Sequence, residues 1–310
     1  MNRIFDVIEG TMNQSALIDL RNFVKKYNTV TKWVLCSDYC IDDPNKPNNV
    51  ISFTLFPYIY DFENWNRLVA SLESHDLKKV KNINPEFCKF LKSGFCLNIS
   101  FYLDKDNFFE KALTKETLDY LVDKYIEAME HWIESETSNK EIYIKYLKKL
   151  NKLKEDKKSR NFNYKLLRRM YLITFIAGYL RYLLFREVDH VDIYSWLSDR
   201  DSITTWQDEV YLVFYRITSH LLVAERLQQE KVTSGTDLFL EKIDSNMIHD
   251  DMNRIADYIC GALADYDYVN NRVTSDKHNT LIEEAISDNP YIIVLKVHTG
   301  GTSRMVFNHI

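Results

Sequence analysis

The 310-residue chain carries 40 Lys and Arg against 45 Asp and Glu, a net charge of −5, and 45% of its residues are apolar, enough to build a large core. Seven Gly and five Pro beside seventeen Phe, twenty Tyr and five Trp exclude a repetitive or disordered chain. No basic stretch leading into an apolar segment opens the chain and no apolar run reaches roughly eighteen residues, so secretion and membrane spanning are not expected; the odd number of cysteines, five, points to reduced thiols in the cytoplasm.

Leu17, Ile18, Leu20, Phe23 and Val24 recur at helical spacing and predict a helix from Ser15 to Lys26. Strands are expected from Lys32 to Asp38 and from Val50 to Phe56, and the Asp-, Pro- and Asn-rich run between them reads as the long tip of a hairpin. Asp61 to Leu77 follows as a helix and Phe95 to Leu103 as a third strand. Three helices are expected at about Lys115 to Ser135, Lys140 to Lys154 and Tyr164 to Glu187, the last apolar enough to be buried. Then come a strand from Val191 to Leu197, a helix from Trp206 to Gln229 and a short strand from Leu238 to Ile243. A helix containing Asp257, another from Leu281 to Ile286, and a terminal strand pair around Tyr291 to Val297 and Arg304 to Phe307 complete the order, with Gly300 and Gly301 as a turn. No linker divides the chain, which predicts one α/β domain over 1–310 with a basic helical insertion at about 110–187.

Three aspartates stand out. Asp38 ends the run Trp33-Val34-Leu35-Cys36, Asp199 follows the strand ending at Leu197, and Asp257 lies in the late helix. Carboxylates just beyond two strands, joined by one from a facing helix, can converge on Mg²⁺ or Mn²⁺, which prefer hard oxygen ligands and serve phosphodiester hydrolysis. Aspartate also ends strands as a turn residue, which is the competing reading. Asp201 is an alternative to Asp199, and Asp42, Asp43 and Glu187 are open choices for a fourth ligand. Arg200 can meet a scissile phosphate or make a rim salt bridge. Cys36 and Cys40 have no matching pair at zinc spacing and read as plain thiols.

Charge is distributed unevenly. Between Lys140 and Arg169 twelve Lys or Arg face three acids. Lys145, Lys148, Lys149, Lys152, Lys154, Lys157, Lys158, Arg160, Arg168 and Arg169 therefore form a candidate surface for a phosphate backbone, with Tyr143, Tyr146, Phe162 and Tyr164 as stacking partners for unpaired bases. The alternative is the solvated face of a long helix.

The order of elements is similar to the ribonuclease H-like fold, in which three antiparallel strands and a helix precede parallel strands alternating with helices, and acidic residues gather around divalent metal. More specifically the chain resembles domain-of-unknown-function family 3800. Ile255-Ala256-Asp257-Tyr258-Ile259-Cys260-Gly261-Ala262-Leu263 matches that family's Leu-Ala-Asp-Leu-Ile-Ala-Gly-Ala helix, Ser198-Asp199-Arg200-Asp201 its later strand end, and Ser37-Asp38-Tyr39-Cys40 occupies the place of its opening Asp-Glu-Ser-Gly. The resemblance implies a mixed-sheet core and a metal-dependent nuclease with Asp38, Asp199 or Asp201, and Asp257 as ligands, in a setting such as antiphage defence. Tyr39 stands where the family has glutamate, and the alternative is a non-catalytic protein of this fold that binds nucleic acid or a protein partner.

Overall fold

The computed structural model describes residues 2–135, 139–199, 201–227, 236–237 and 250–308. The chain divides into two compact units. The first comprises Met1–Phe108, Glu187–Asp199 and Thr233–Ile310, and the second Phe109–Arg186 and Arg200–Val232. The inserted unit is thus larger than 110–187, because the helix after the fourth strand belongs to it as well.

In the first unit, α1 (Asn2–Thr11) and α2 (Leu17–Lys26) are joined by a single π turn at Met12–Ala16. The hairpin β1 (Lys32–Cys40) and β2 (Asn49–Pro57) follows. α3 (Phe62–Leu72) begins where Asp61 accepts the Asn64 N–H at 2.8 Å, and it ends before Leu77, in place of which a 3₁₀ turn forms at Leu77–Lys79. α4 (Pro85–Lys92) is an additional helix; Asn84 caps it and Pro85 opens its first turn. β3 spans Leu97–Leu103, and after the insertion come β4 (Ile193–Ser198) and the two-residue β5 (Thr236–Asp237). The expected strand at 238–243 lies outside the described residues. α10 (Asp250–Asp265), a short helix at Asp276–Thr280 running into a π turn at Leu281–Ile286, and the hairpin β6 (Ile292–His298) and β7 (Gly301–Met305) complete the unit.

The strands form one mixed sheet in the order β5-β4-β1-β2-β3-β6-β7, giving an α/β architecture. β1 pairs antiparallel with β2, and β2 with β3, while β4 runs parallel to β1 and β5 parallel to β4. The terminal hairpin belongs to the same sheet: β6 adds in parallel to the far edge of β3.

Alternation along the strands assigns the faces. Cys36 and Leu197 pair across β1 and β4 and both join the core that contains Met252, Ile255, Ile259 and Leu263 of α10. On that same face a closed polar network crosses β2 and β3. Asn98 donates to Ser52 and Thr54 at 2.9 Å each, its oxygen accepts from Ser100 at 2.6 Å, and all four side chains are buried. A buried polar group left unpaired costs about 1–3 kcal/mol, so this saturation lets polar residues sit at the sheet centre. α10 is held at both ends. Arg254 donates to the Glu73 carbonyl at 2.7 Å and Tyr258 to the Glu73 carboxylate at 3.1 Å, while the Asn48 amide caps the Leu263 and Tyr266 carbonyls at 3.2 and 2.7 Å.

The second unit is helical: α6 (Lys115–Ser135), α7 (Lys140–Asp156), α8 (Tyr164–Glu187, almost wholly in this unit) and α9 (Val210–Arg226), after the short α5 (Phe108–Ala112) that enters it. α8 is buried along nearly its whole length, and its Gly178 allows close approach of α9, since a Cβ there would lie 3.3 Å from the Ser219 nitrogen. No described helix is long and apolar enough to cross a membrane.

Candidate functional site

The parallel pairing of β1 and β4 brings two of the expected aspartates together. Ser37 and Ser198 are the last parallel partners, and the Asp199 N–H donates to the Ser37 carbonyl at 3.4 Å, so Asp38 and Asp199 stand side by side one residue further on. Two residues beyond Cys36 and Leu197, both point to the α10 face. Asp257 comes from α10 itself. Spacings of three and four residues put Asp250, Asn253, Arg254, Asp257 and Gly261 on one side of that helix. The result is a cleft of about 510 Å³ lined by Asp38, Asp76, Asp199, Asp250, Asp251 and Asp257, with Lys78, Lys79, Asn253 and Arg254.

Asp257 is half-buried and accepts the Leu77 N–H at 2.8 Å. This contact fixes the 3₁₀ turn that carries Lys78 and Lys79, and Lys277 holds the same turn from its other side through the Leu77 carbonyl at 2.7 Å. Gly261 makes the approach possible, because a Cβ there would meet the Leu77 side chain at 2.4 Å. Burial pushes the Asp257 carboxyl above the usual carboxylate range, opposed by the Leu77 N–H and Lys78 and reinforced by Asp76 and Asp199.

A pH dependence follows. The folded protein holds the Asp257 proton to higher pH than the unfolded chain does, so this group's contribution to stability is present below the unfolded pKa and is lost as pH rises through the folded one. Asp257→Asn keeps an oxygen for Leu77 and removes the ionisation. Thermal melts should show the variant a few degrees more stable than the parent at pH 7, with the gap closing towards pH 3.5; an equal gap at both pH values would refute the assignment.

Among the described residues, six aspartates and three cations line the cleft. Two of the three are already committed: Lys79 pairs with Asp76 at 2.8 Å, and Arg254 with Asp251 at 2.6 Å. Lys78 is exposed and makes no ion pair among the described residues. Among the described residues, no three His, Cys, Asp or Glu side chains stand close enough together to enclose a metal ion. The cleft is a group of hard oxygen donors without a closed coordination shell.

The other expected site residues are placed elsewhere. Asp201 lies in the second unit and uses Oδ1 to accept the N–H groups of Ile203 and Thr204 at 2.8 and 2.9 Å, the turn role that competed with metal binding. Of the open choices for a fourth ligand, Asp43 accepts from Asn45 within the hairpin tip and Glu187 pairs with Arg21 at 2.7 Å; neither they nor Asp42 line the cleft. Arg200 lies outside the described residues. Asp76, Asp250 and Asp251 do line it, and sequence reasoning passed over them; an Asp pair opening a helix is the ordinary complement to its N-terminal dipole and carries no further signal. Burial pushes the Cys40 thiol up to about 11.

Much of the basic band is satisfied within the second unit. Lys149 pairs with Asp208 at 3.2 Å, Lys154 with Asp123 at 2.8 Å, Lys157 with Asp119 at 2.7 Å, Lys158 with Glu155 at 2.6 Å and Arg168 with Glu110 at 2.6 Å. Burial lowers the Arg169 pKa. Lys145, Lys148 and Lys152 remain, at spacings of three and four residues, as an exposed stripe along α7, with Arg160 exposed in the turn beyond. The aromatic residues also make contacts inside the same unit. Tyr143 packs on Trp132 (5.6 Å between centroids), Tyr146 lies under Arg216, and Phe162 contacts Tyr164 and Trp206 at 4.9 and 5.6 Å.

Compared with family models, with curated proteins and with solved structures, the chain matches none.

Proposed function

We propose that the protein is a divalent-cation-dependent nuclease with a ribonuclease H-like core, acting in the cytoplasm. The observation that carries this reading is the placement of Asp38 and Asp199 side by side at the carboxyl ends of adjacent parallel strands, in one cleft with Asp257 of the facing helix. The pairing pattern supports the fold assignment: β1, β2 and β3 antiparallel, β4 parallel to β1, β5 parallel to β4. Five free cysteines accord with a reducing compartment.

The donor set suits Mg²⁺ or Mn²⁺. Such ions keep several waters and take one or two protein carboxylates plus substrate phosphate, so three directly ligating side chains are not required. Asp38 and Asp199 would hold the ion, with Asp257 next to it, and a bound ion would supply charge stabilisation and an acidified water for phosphodiester hydrolysis. Lys78, exposed at the same cleft, is placed to meet a phosphate oxygen. Asp257 keeps Lys78 in position through the Leu77 N–H. The exposed lysines of α7 would add sequence-independent affinity for a phosphate backbone.

A second reading, a nucleic-acid or protein-binding relative without catalysis, is favoured by Tyr39. Its side chain alternates away from Asp38, and its hydroxyl bonds to Ser37 at 2.6 Å and Ser198 at 2.8 Å on the opposite face, so it adds no carboxylate to the cleft. Incubation of the protein with single- and double-stranded DNA and RNA separates the two. Cleavage that requires Mg²⁺ or Mn²⁺ and disappears in Asp38→Asn supports the nuclease; binding without cleavage of any substrate supports the second reading.

A further inference from the structure

Buried asparagines in this protein are generally saturated. Asn98 uses both ends of its amide, and Asn289 donates to the Leu91 and Ala285 carbonyls at 3.1 and 2.8 Å while accepting the Tyr291 N–H at 2.9 Å. Asn253 differs. It is 6% exposed, yet neither its amide oxygen nor its amide nitrogen has a hydrogen-bond partner among the described residues. It lines the acidic cleft, one helical turn before Asp257 on the same face of α10.

An amide withdrawn from water without a partner costs about 1–3 kcal/mol, and an apolar residue of similar size avoids that cost. The expense is explained if a ligand completes the site. We propose that Asn253 is a further ligand residue of the cleft, its Oδ1 supplying a neutral oxygen to the divalent cation gathered by Asp38, Asp199 and Asp257. Neutral amide oxygens are ordinary ligands of hard cations, and this one would take the place of one of the waters that the ion otherwise keeps. The Nδ2 atom, on the same planar group, is left to donate to an anionic oxygen held by that ion. This inference rests on the cation-binding reading of the cleft given above, which did not include Asn253.

The test uses Mn²⁺ alone as the probe, with the full chain, and needs no cleavage. Isothermal titration should show Asn253→Leu binding Mn²⁺ at least tenfold more weakly than the parent, while Asn253→Asp, which keeps an oxygen in the same place, binds as tightly as the parent or more so. In the absence of metal, Asn253→Leu should melt at or above the parent temperature, because an unsatisfied amide has been removed. A lower melting temperature with unchanged Mn²⁺ affinity would mean that the amide is satisfied by water and has a structural role, overturning the inference. Should Asn253→Leu fail to fold, Asn253→Asp decides: tenfold weaker binding in that variant contradicts an oxygen-ligand role. If the parent itself binds no Mn²⁺, the cation-binding reading of the cleft falls, whereas parent binding that both variants retain unchanged removes Asn253 alone.

Discussion

Asp38→Asn is expected to reduce metal-dependent cleavage by on the order of 10³-fold, equivalent to about 4 kcal/mol of transition-state stabilisation. The amide preserves the shape of the side chain at the end of β1 and removes the charge on which cation binding depends. Asp201→Asn is the matched control. Its carboxylate accepts the Ile203 and Thr204 N–H groups, a role the amide oxygen retains, so cleavage should stay within about twofold of the parent. Initial rates of both variants at saturating Mn²⁺ check the pair. Equal losses in the two would mean that proximity to Asp257 does not select the functional carboxylate.

Reversal of Lys145, Lys148 and Lys152 to Glu should weaken nucleic-acid binding on the order of 10²-fold near physiological salt and flatten the dependence of log K on log salt by about 0.7–0.9 per lost contact. These residues form one exposed stripe on α7, so their charge acts outward. Lys157 gives the contrast. Its side chain is 8% exposed and paired with Asp119, and reversal there sets a largely buried carboxylate against the half-buried Asp119, which should depress the melting temperature before it touches affinity. Binding titrations at several salt concentrations separate the two effects. An unaltered slope after the triple reversal would make the stripe a solvated helix face or a dock for an acidic protein partner.

The strands and helices that carry the cleft were legible because their signals are local. Apolar runs ending in Asp marked β1 and β4, and the helix around Asp257 has an apolar stripe at helical spacing. That Asp38 and Asp199 become neighbours depends on parallel pairing across more than a hundred and fifty residues of chain, for which the order of elements was the only guide. The addition of β6 to β3 had no local counterpart, and the sequence marked only a terminal strand pair. α4 could have been found, since Asn84-Pro85 before an apolar run is a helix start. Charge was the least transparent property. A surplus of lysine in sequence says nothing of which amines are neutralised, and Asp119, Asp123, Glu110 and Asp208 reduced a broad band to one stripe. Asn253 escaped notice for a similar reason: an asparagine on a helix face acquires meaning only when its surroundings leave both ends of the amide unpaired.

In the proposed function the cleft lined by β1, β4 and α10 binds a divalent cation through its aspartates. Crystals grown with Mn²⁺ and measured at the manganese absorption edge test it most directly, because the anomalous signal locates the ion without reference to activity. An anomalous peak is expected in the cleft, about 2.1 Å from a carboxylate oxygen of Asp38 or Asp199 and close to Asp257. A cleft that stays empty of manganese at saturating concentration, or a peak confined to other carboxylates, would contradict it.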